Sequence, residues 1–174
     1  CIQGDLSGNS GVEFVKNLFQ EEQNQQDFII DTLVNNAGYG TYGTFEDTSL
    51  ERQLGMIDLN VYSLTGICYA ALPYLQKGSL VINVASLASF APLGNFAVYG
   101  ATKAFVYSFS LALAAELEPK GIFVETLCPG PVDTPLWHAD GQLGDQLAGA
   151  TGMKKDAAID WFAKANIPMG RYAK

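Results

Sequence analysis

The chain has 174 residues, 48% apolar and 16% charged, with 10 Lys and Arg against 18 Asp and Glu for a formal charge of -8. Its length suits one domain over residues 1–174, with enough apolar material for a sizeable core and too little charge for a disordered chain. The acidic balance repels phosphate backbones and offers no basic patch to an anionic lipid surface, so neither nucleic acid nor membrane is an expected partner.

Strand and helix signals alternate along the chain. Val12, Val15, Leu18 and Phe19 recur as one face of a helix over 11–25. A short β-rich run follows, from Phe28 to Val34. Ser49 is the expected N-cap of a helix running to about Leu75, with Glu46, Asp47 and Glu51 placed to suit its dipole. Leu80 to Ala85 is a continuous apolar run, as in a strand buried on both faces. A long helix over 96–118 is stopped by Pro119 and Gly121. Ile122 to Cys128 reads as another buried strand, ended by Pro129-Gly130, and two weaker helical stretches follow over 136–147 and 154–165. Strands joined through helices by short connections predict an open, parallel α/β sheet. Such sheets bind ligands beyond the carboxyl ends of their strands, which makes the residues after each strand the functional candidates.

Cys1, Cys68 and Cys128 make an odd count, two of them in apolar runs, and read as reduced, hydrophobe-like thiols of a cytoplasmic protein. His138 is the single histidine, and no cysteine pair has ligand spacing, so no metal site is expected. Its polar, Gly-rich surroundings suit a loop better than a Ser-His-Asp site. The first residues, Cys1 to Asp5, have neither the basic nor the apolar region of a signal peptide. The apolar stretch over 61–75 contains Pro73 and is shorter than the ~20 residues of a membrane span.

The strand ends carry Asn35-Asn36-Ala37-Gly38, then Ser86-Leu87-Ala88-Ser89, then Pro129-Gly130-Pro131-Val132-Asp133-Thr134. Tyr99 and Lys103 are four apart at the start of the long helix, one turn apart on one face. A free phenol titrates near pH ~10, too high for a base at neutral pH, and an adjacent ammonium lowers that value. The pair is therefore expected to give a tuned proton donor and acceptor. Taken alone, the spacing also fits a core aromatic beside a surface charge. Ser86 ends a strand thirteen residues before Tyr99, where its hydroxyl can donate to a carbonyl oxygen or simply cap a turn. Ser89 is a rival on the same loop.

Together, in order and spacing, Asn35-Asn36-Ala37-Gly38, Asn60, Ser86, Tyr99-x-x-x-Lys103 and Pro129-Gly130 resemble the short-chain dehydrogenase/reductase family, from about Asp5 to at least Thr134. Weaker echoes continue through Ile167-Pro168-Met169-Gly170-Arg171. The resemblance implies a Rossmann-like, doubly wound parallel sheet in three α/β/α layers, and an oxidoreductase using NAD or NADP to interconvert a carbonyl and a secondary alcohol. It implies that Tyr99 is the general acid or base and that Lys103 lowers the Tyr99 pKa and binds the nicotinamide ribose. Ser86 would orient the substrate oxygen, and Asn60 would hold a water that relays protons to Lys103. It places Asn35, Ala37 and Gly38 along the cofactor ribose, Asp5 and Leu6 at the adenine, and Pro129, Gly130, Val132 and Thr134 at the nicotinamide. Residues 134–170 resemble the family's substrate cover. The apolar helices over 49–75 and 96–118 read as buried within the monomer, or, by the resemblance, as the interface of a homodimer or homotetramer.

The family's own glycine-rich diphosphate loop is not seen, and the fold is expected to be incomplete at both ends, with an uncovered edge on the strand ending at Val34. Gly38-x-Gly40-x-x-Gly43 spells a dinucleotide fingerprint, with Asp58 twenty residues past Gly38. That motif requires a helix opening within the glycines, and the next helix is expected only at Ser49. A catalytically silent relative acting as an assembly module is the alternative function. A Rossmann-like methyltransferase would need its own glycine-rich loop and an acid after the second strand. Leu136, Trp137, Leu143, Leu147, Met153, Trp161 and Phe162 either face an apolar substrate or close the core.

Overall fold

A computed structural model describes residues 2–25, 27–167 and 171–173. Cys1 and the Pro168-Met169-Gly170 part of the expected C-terminal echo lie outside the described residues.

Three parallel strands, β1 (Thr32–Asn35), β2 (Leu80–Val84) and β3 (Phe123–Leu127), pair in the order β1-β2-β3. Leu33, Val81 and Val124 lie opposite one another, as do Asn35, Asn83 and Thr126, so the strands end along one rim. β1 starts later than its apolar run predicts. The Ile30 amide donates to the Tyr74 carbonyl at 2.9 Å and its carbonyl accepts from Ser79 Oγ at 2.7 Å, which takes Ile30 out of the ladder. Among the described residues β1 pairs on one side only, in keeping with the uncovered edge.

The helix α1 (Gly8–Gln25) opens earlier than its apolar face alone suggests. Asp5 Oδ1 accepts from the Ser7 amide at 2.9 Å, and the Ser7 carbonyl accepts from Gly11, building the first turn. The run predicted as one helix from Ser49 is α2 (Leu50–Ile57), a π turn at Asp58–Ser63, α3 (Leu64–Ala71) and a 3₁₀ turn at Leu72–Tyr74. Ser49 caps it as expected, its hydroxyl accepting from the Arg52 amide at 3.3 Å. The long helix is α4 (Ala97–Leu117).

One face of the sheet packs against α3 and α4 through Leu64, Cys68, Val81, Ala85 and Val106, with α1 alongside α3. On the opposite face Val34, Phe123 and Leu127 are 53%, 60% and 51% exposed. The described residues thus build a Rossmann-like parallel sheet with flanking helices, two of the three expected layers.

Beyond β3 the chain forms α5 (Pro135–His138), α6 (Leu143–Thr151) and α7 (Lys155–Asn166). The first of the two predicted helical stretches is broken in two around Gly141, whose φ of 72° only glycine adopts readily. These helices enclose a second core of Phe96, Trp137, Leu143, Leu147, Ala158, Ile159 and Phe162. Trp137, Leu143, Leu147 and Phe162 therefore close the core, while Leu136, Met153 and Trp161 are exposed.

Candidate active site

Every strand of the sheet delivers a loop to the rim. The Ala85 amide donates to the Leu127 carbonyl at 2.7 Å and the Leu87 amide to the Pro129 carbonyl at 3.0 Å, joining the loops after β2 and β3. Ser86 follows β2 and caps a 3₁₀ turn at Leu87–Ser89, its hydroxyl accepting from the Ala88 amide at 3.2 Å. Its rival Ser89 is turned away and donates to the Lys103 carbonyl at 2.8 Å. The Ser86 hydroxyl lies on the Tyr99 side of this loop, near enough to favour the ionised phenol.

Tyr99 lies in the first turn of α4, with Lys103 one turn later. Burial pushes the Tyr99 phenol above its ordinary value, and the Ser86 hydroxyl opposes this. The Lys103 ammonium donates to the Val84 carbonyl at 2.7 Å and sits 6.0 Å from the centre of the Tyr99 ring, and burial sets the direction of the Tyr99 shift. Burial also lowers the Lys103 pKa.

The loop after β1 runs directly over this pair. A Cβ at Gly40 would come 2.8 Å from the Tyr99 ring, and one at Gly38 would come 2.9 Å from Asn60 Oδ1 and 3.5 Å from Lys103 Nζ. These glycines let the backbone lie against Tyr99 and Asn60. No helix opens between Gly38 and Leu50, which removes the dinucleotide-fingerprint reading of 38–43.

Asn60 is buried in the π turn. Its Oδ1 accepts from the Tyr39 amide at 3.1 Å, and its Nδ2 donates to the Tyr39 carbonyl at 2.9 Å and to Thr102 Oγ1 at 3.0 Å. The side chain braces the loop after β1 against α4, with its hydrogen bonds going to Tyr39 and Thr102. The Asn35 amide points into the sheet's packed face, donating to Asn83 Oδ1 at 2.9 Å and to Cys68 Sγ at 3.2 Å. Asn83 donates on to Ser110 Oγ at 2.9 Å. Ala37 and Gly38 are exposed at the rim as expected.

Pro129 and Gly130 sit beside Ser86, where a Cβ on Gly130 would meet Leu87 at 2.9 Å. The Val132 carbonyl accepts from Trp137 Nε1 at 3.0 Å, and Thr134 precedes α5. Asp5 is exposed, its carboxylate held low by the Ser7 amide it accepts from just before α1, with Leu6 half-buried beside it. His138 pairs with Asp133 at 2.8 Å in an exposed position. Among the described residues no group of three or more His, Cys, Asp or Glu side chains is placed to hold a metal, and no helix is long and apolar enough to cross a membrane. Cys68 and Cys128 are free thiols, and burial pushes Cys68 up to about 11.

Sequence reasoning missed Thr102, Tyr39, Asn83, Tyr42, Asn95 and Gln146. Thr102, inside Tyr99-x-x-x-Lys103 and three residues from Tyr99, carried a usable signal. The others depend on loops meeting across long sequence separations.

A family model described as short chain dehydrogenase matches residues 1–142. The chain belongs to the short-chain dehydrogenase family. It is 33% identical over 156 residues to a probable oxidoreductase, EphD, of Mycobacterium tuberculosis, covering 85% of this chain and 26% of that protein. A short chain dehydrogenase from Burkholderia cenocepacia, solved in complex with NADP, superposes with a TM-score of 0.75 at 25% identity over 99% of this chain and 63% of that one. A bulky-bulky ketone specific alcohol dehydrogenase from Comamonas testosteroni superposes with a TM-score of 0.65 at 30% identity over 76% of this chain and 52% of that one. The chain spans from about a quarter to under two thirds of the length of these proteins.

Proposed function

We propose that this protein is an NAD- or NADP-dependent oxidoreductase that interconverts a carbonyl and a secondary alcohol, with Tyr99, Ser86 and Lys103 as its catalytic residues and Asn60 bracing them. The observation that carries this reading is the convergence, at one rim of the sheet, of the loop after β2 that bears Ser86, the Tyr99 ring against Gly40, and the buried Lys103 beside Gly38.

The rim residues fit a nicotinamide nucleotide. Lys103 uses one of its three donors on Val84, and the exposed Ala37-Gly38 backbone passes beside its ammonium. Lys103, Ala37 and Gly38 would hold the ribose, Pro129, Gly130, Val132 and Thr134 the nicotinamide end, and Asp5 and Leu6 the adenine. When bound, the nicotinamide supplies or accepts the hydride. In reduction, Ser86 Oγ donates to the substrate oxygen and holds it against Tyr99, whose Oη gives it a proton. In oxidation, the phenolate of Tyr99 removes the hydroxyl proton. Gly40 and Phe96 pack against the Tyr99 ring and fix its position. The solved NADP complex and the ketone-specific alcohol dehydrogenase support the cofactor and substrate classes.

The partner reading is a second copy of the chain, packed on Leu50, Leu54 and Tyr69 of the α2–α3 run and Phe105 and Leu111 of α4, all exposed apolar residues. Sedimentation of the protein tests it.

Titration of the intact protein with NADH and NADPH, followed by fluorescence, tests the main reading. Binding of at least one nucleotide, weakened by Lys103→Met and retained by Tyr99→Phe, is the expected result. Failure to bind either, with dimerisation intact, would favour a catalytically silent assembly module.

A further inference from the structure

We propose that Gln146 and Asn95 hold Tyr42 as a latch that couples the α5–α7 cover to the catalytic tyrosine, which makes them positioning residues for substrate entry. The kinetic half of this proposal rests on the oxidoreductase reading. The structural half does not.

Tyr42 lies on the loop between β1 and α2 and is held from three directions. Its amide donates to Gln146 Oε1 of α6 at 2.9 Å, a link between segments 104 residues apart. Its hydroxyl accepts from Asn95 Nδ2 at 3.0 Å. Its ring meets Phe96 and Phe162 edge-on, with centroids 5.1 and 6.5 Å away. The next residue, Gly43, donates its amide to the Asn95 carbonyl at 3.0 Å.

Asn95 therefore grips two consecutive loop residues, one with its side chain and one with its backbone. It does so with a φ of 63°, the one positive φ at a non-glycine position among the described residues. Asparagine adopts this left-handed conformation more readily than other side chains.

Tyr42 reaches Tyr99 by two routes. Two residues earlier, Gly40 lies against the Tyr99 ring, and Phe96, which packs on Tyr42, also packs on Tyr99 at 5.8 Å. Anything that lifts Tyr42 lifts Gly40 from the phenol and widens the slot in which the substrate oxygen must sit. Gln146 is the polar contact through which α6 holds that loop down. The catalytic groups themselves lie just after β2 and on α4 and stay in place when the loop moves, so the effect falls on substrate binding.

The test compares Gln146→Met, which keeps the side-chain shape and loses the acceptor, with Gln146→Glu, which keeps an acceptor, and with Asn95→Gly, which keeps the backbone conformation and loses the amide. Hydrogen exchange at the Tyr42 amide and the split between KM and kcat are read together. Gln146→Met is expected to speed Tyr42 exchange and raise KM about three- to tenfold, as for one lost hydrogen bond, with kcat nearly unchanged. Gln146→Glu is expected to restore both, and Asn95→Gly to raise KM by less. Wild-type exchange and KM in Gln146→Met would overturn the latch, as would equal loss in the Met and Glu variants. A protein without turnover whose Tyr42 amide is protected, and loses that protection in Gln146→Met, would support the latch and overturn the catalytic reading instead.

Discussion

The sheet rim and the α5–α7 cover are built by opposite means. At the rim, position is set by close approach and buried hydrogen bonding. Gly40 lies against Tyr99, Asn60 is fastened on both sides, and the Asn35-Asn83-Ser110 chain is sealed beneath the strand ends. The cover is held by its own aromatic and aliphatic core, around Trp137, Leu147 and Phe162, and meets the rim loops through Tyr42, Phe96 and Tyr99. A rim of this kind tolerates no added atom, whereas a cover of this kind is sensitive to lost volume.

The comparison is broken most strongly by cutting each region at its own support. Phe162→Ala removes the ring that joins Trp137, Phe96 and Tyr42, and is expected to cost about 3–5 kcal/mol in urea unfolding. Asn83→Ala is expected to cost about 1–3 kcal/mol, because the Asn35 amide and Ser110 hydroxyl lose a buried partner. Gly40→Ala places a methyl against the Tyr99 ring. It is expected to lower kcat about tenfold and to cost about 1–3 kcal/mol in urea unfolding, as overpacking does.

The ionisable groups sharpen the same contrast. Because burial raises the Tyr99 pKa, alcohol oxidation, which needs the phenolate, should climb through neutral and alkaline pH without levelling below the ordinary phenol value. Carbonyl reduction, which needs the neutral phenol, should stay level across neutral pH. Cys68 acts only at alkaline pH. Its folded pKa of about 11 exceeds the 9.0 of a free thiol, so its contribution to stability is full below pH 9.0 and is lost as pH rises through about 11. Cys68→Ala should flatten that alkaline slope in an unfolding series.

The order of strands and helices and the placing of Ser86, Tyr99 and Lys103 were legible because each rests on local periodicity, on a four-residue helical spacing or on a strand end. The rest comes from long-range packing. Lys103 turns to the Val84 carbonyl, Asn60 to Tyr39 and Thr102, and Asn35 into the packed face of the sheet, and no local pattern encodes those distances. The glycines of 38–43 imitate a phosphate loop because close approach to a side chain and to a phosphate make the same demand on the backbone. Whether the cover's apolar residues faced substrate or core was open in the sequence, since Trp137 and Trp161 carry the same hydropathy and differ only in which side of a helix is covered.

The central claim is that the Tyr99 hydroxyl moves the proton. The most direct measurement is single-turnover hydride transfer in Tyr99→Phe at saturating nucleotide, alongside nucleotide binding. A loss of about a hundredfold or more in rate, with binding and unfolding unchanged, is the expected result. A Tyr99→Phe protein that reacts at the wild-type rate would contradict it and remove Tyr99 from the chemistry.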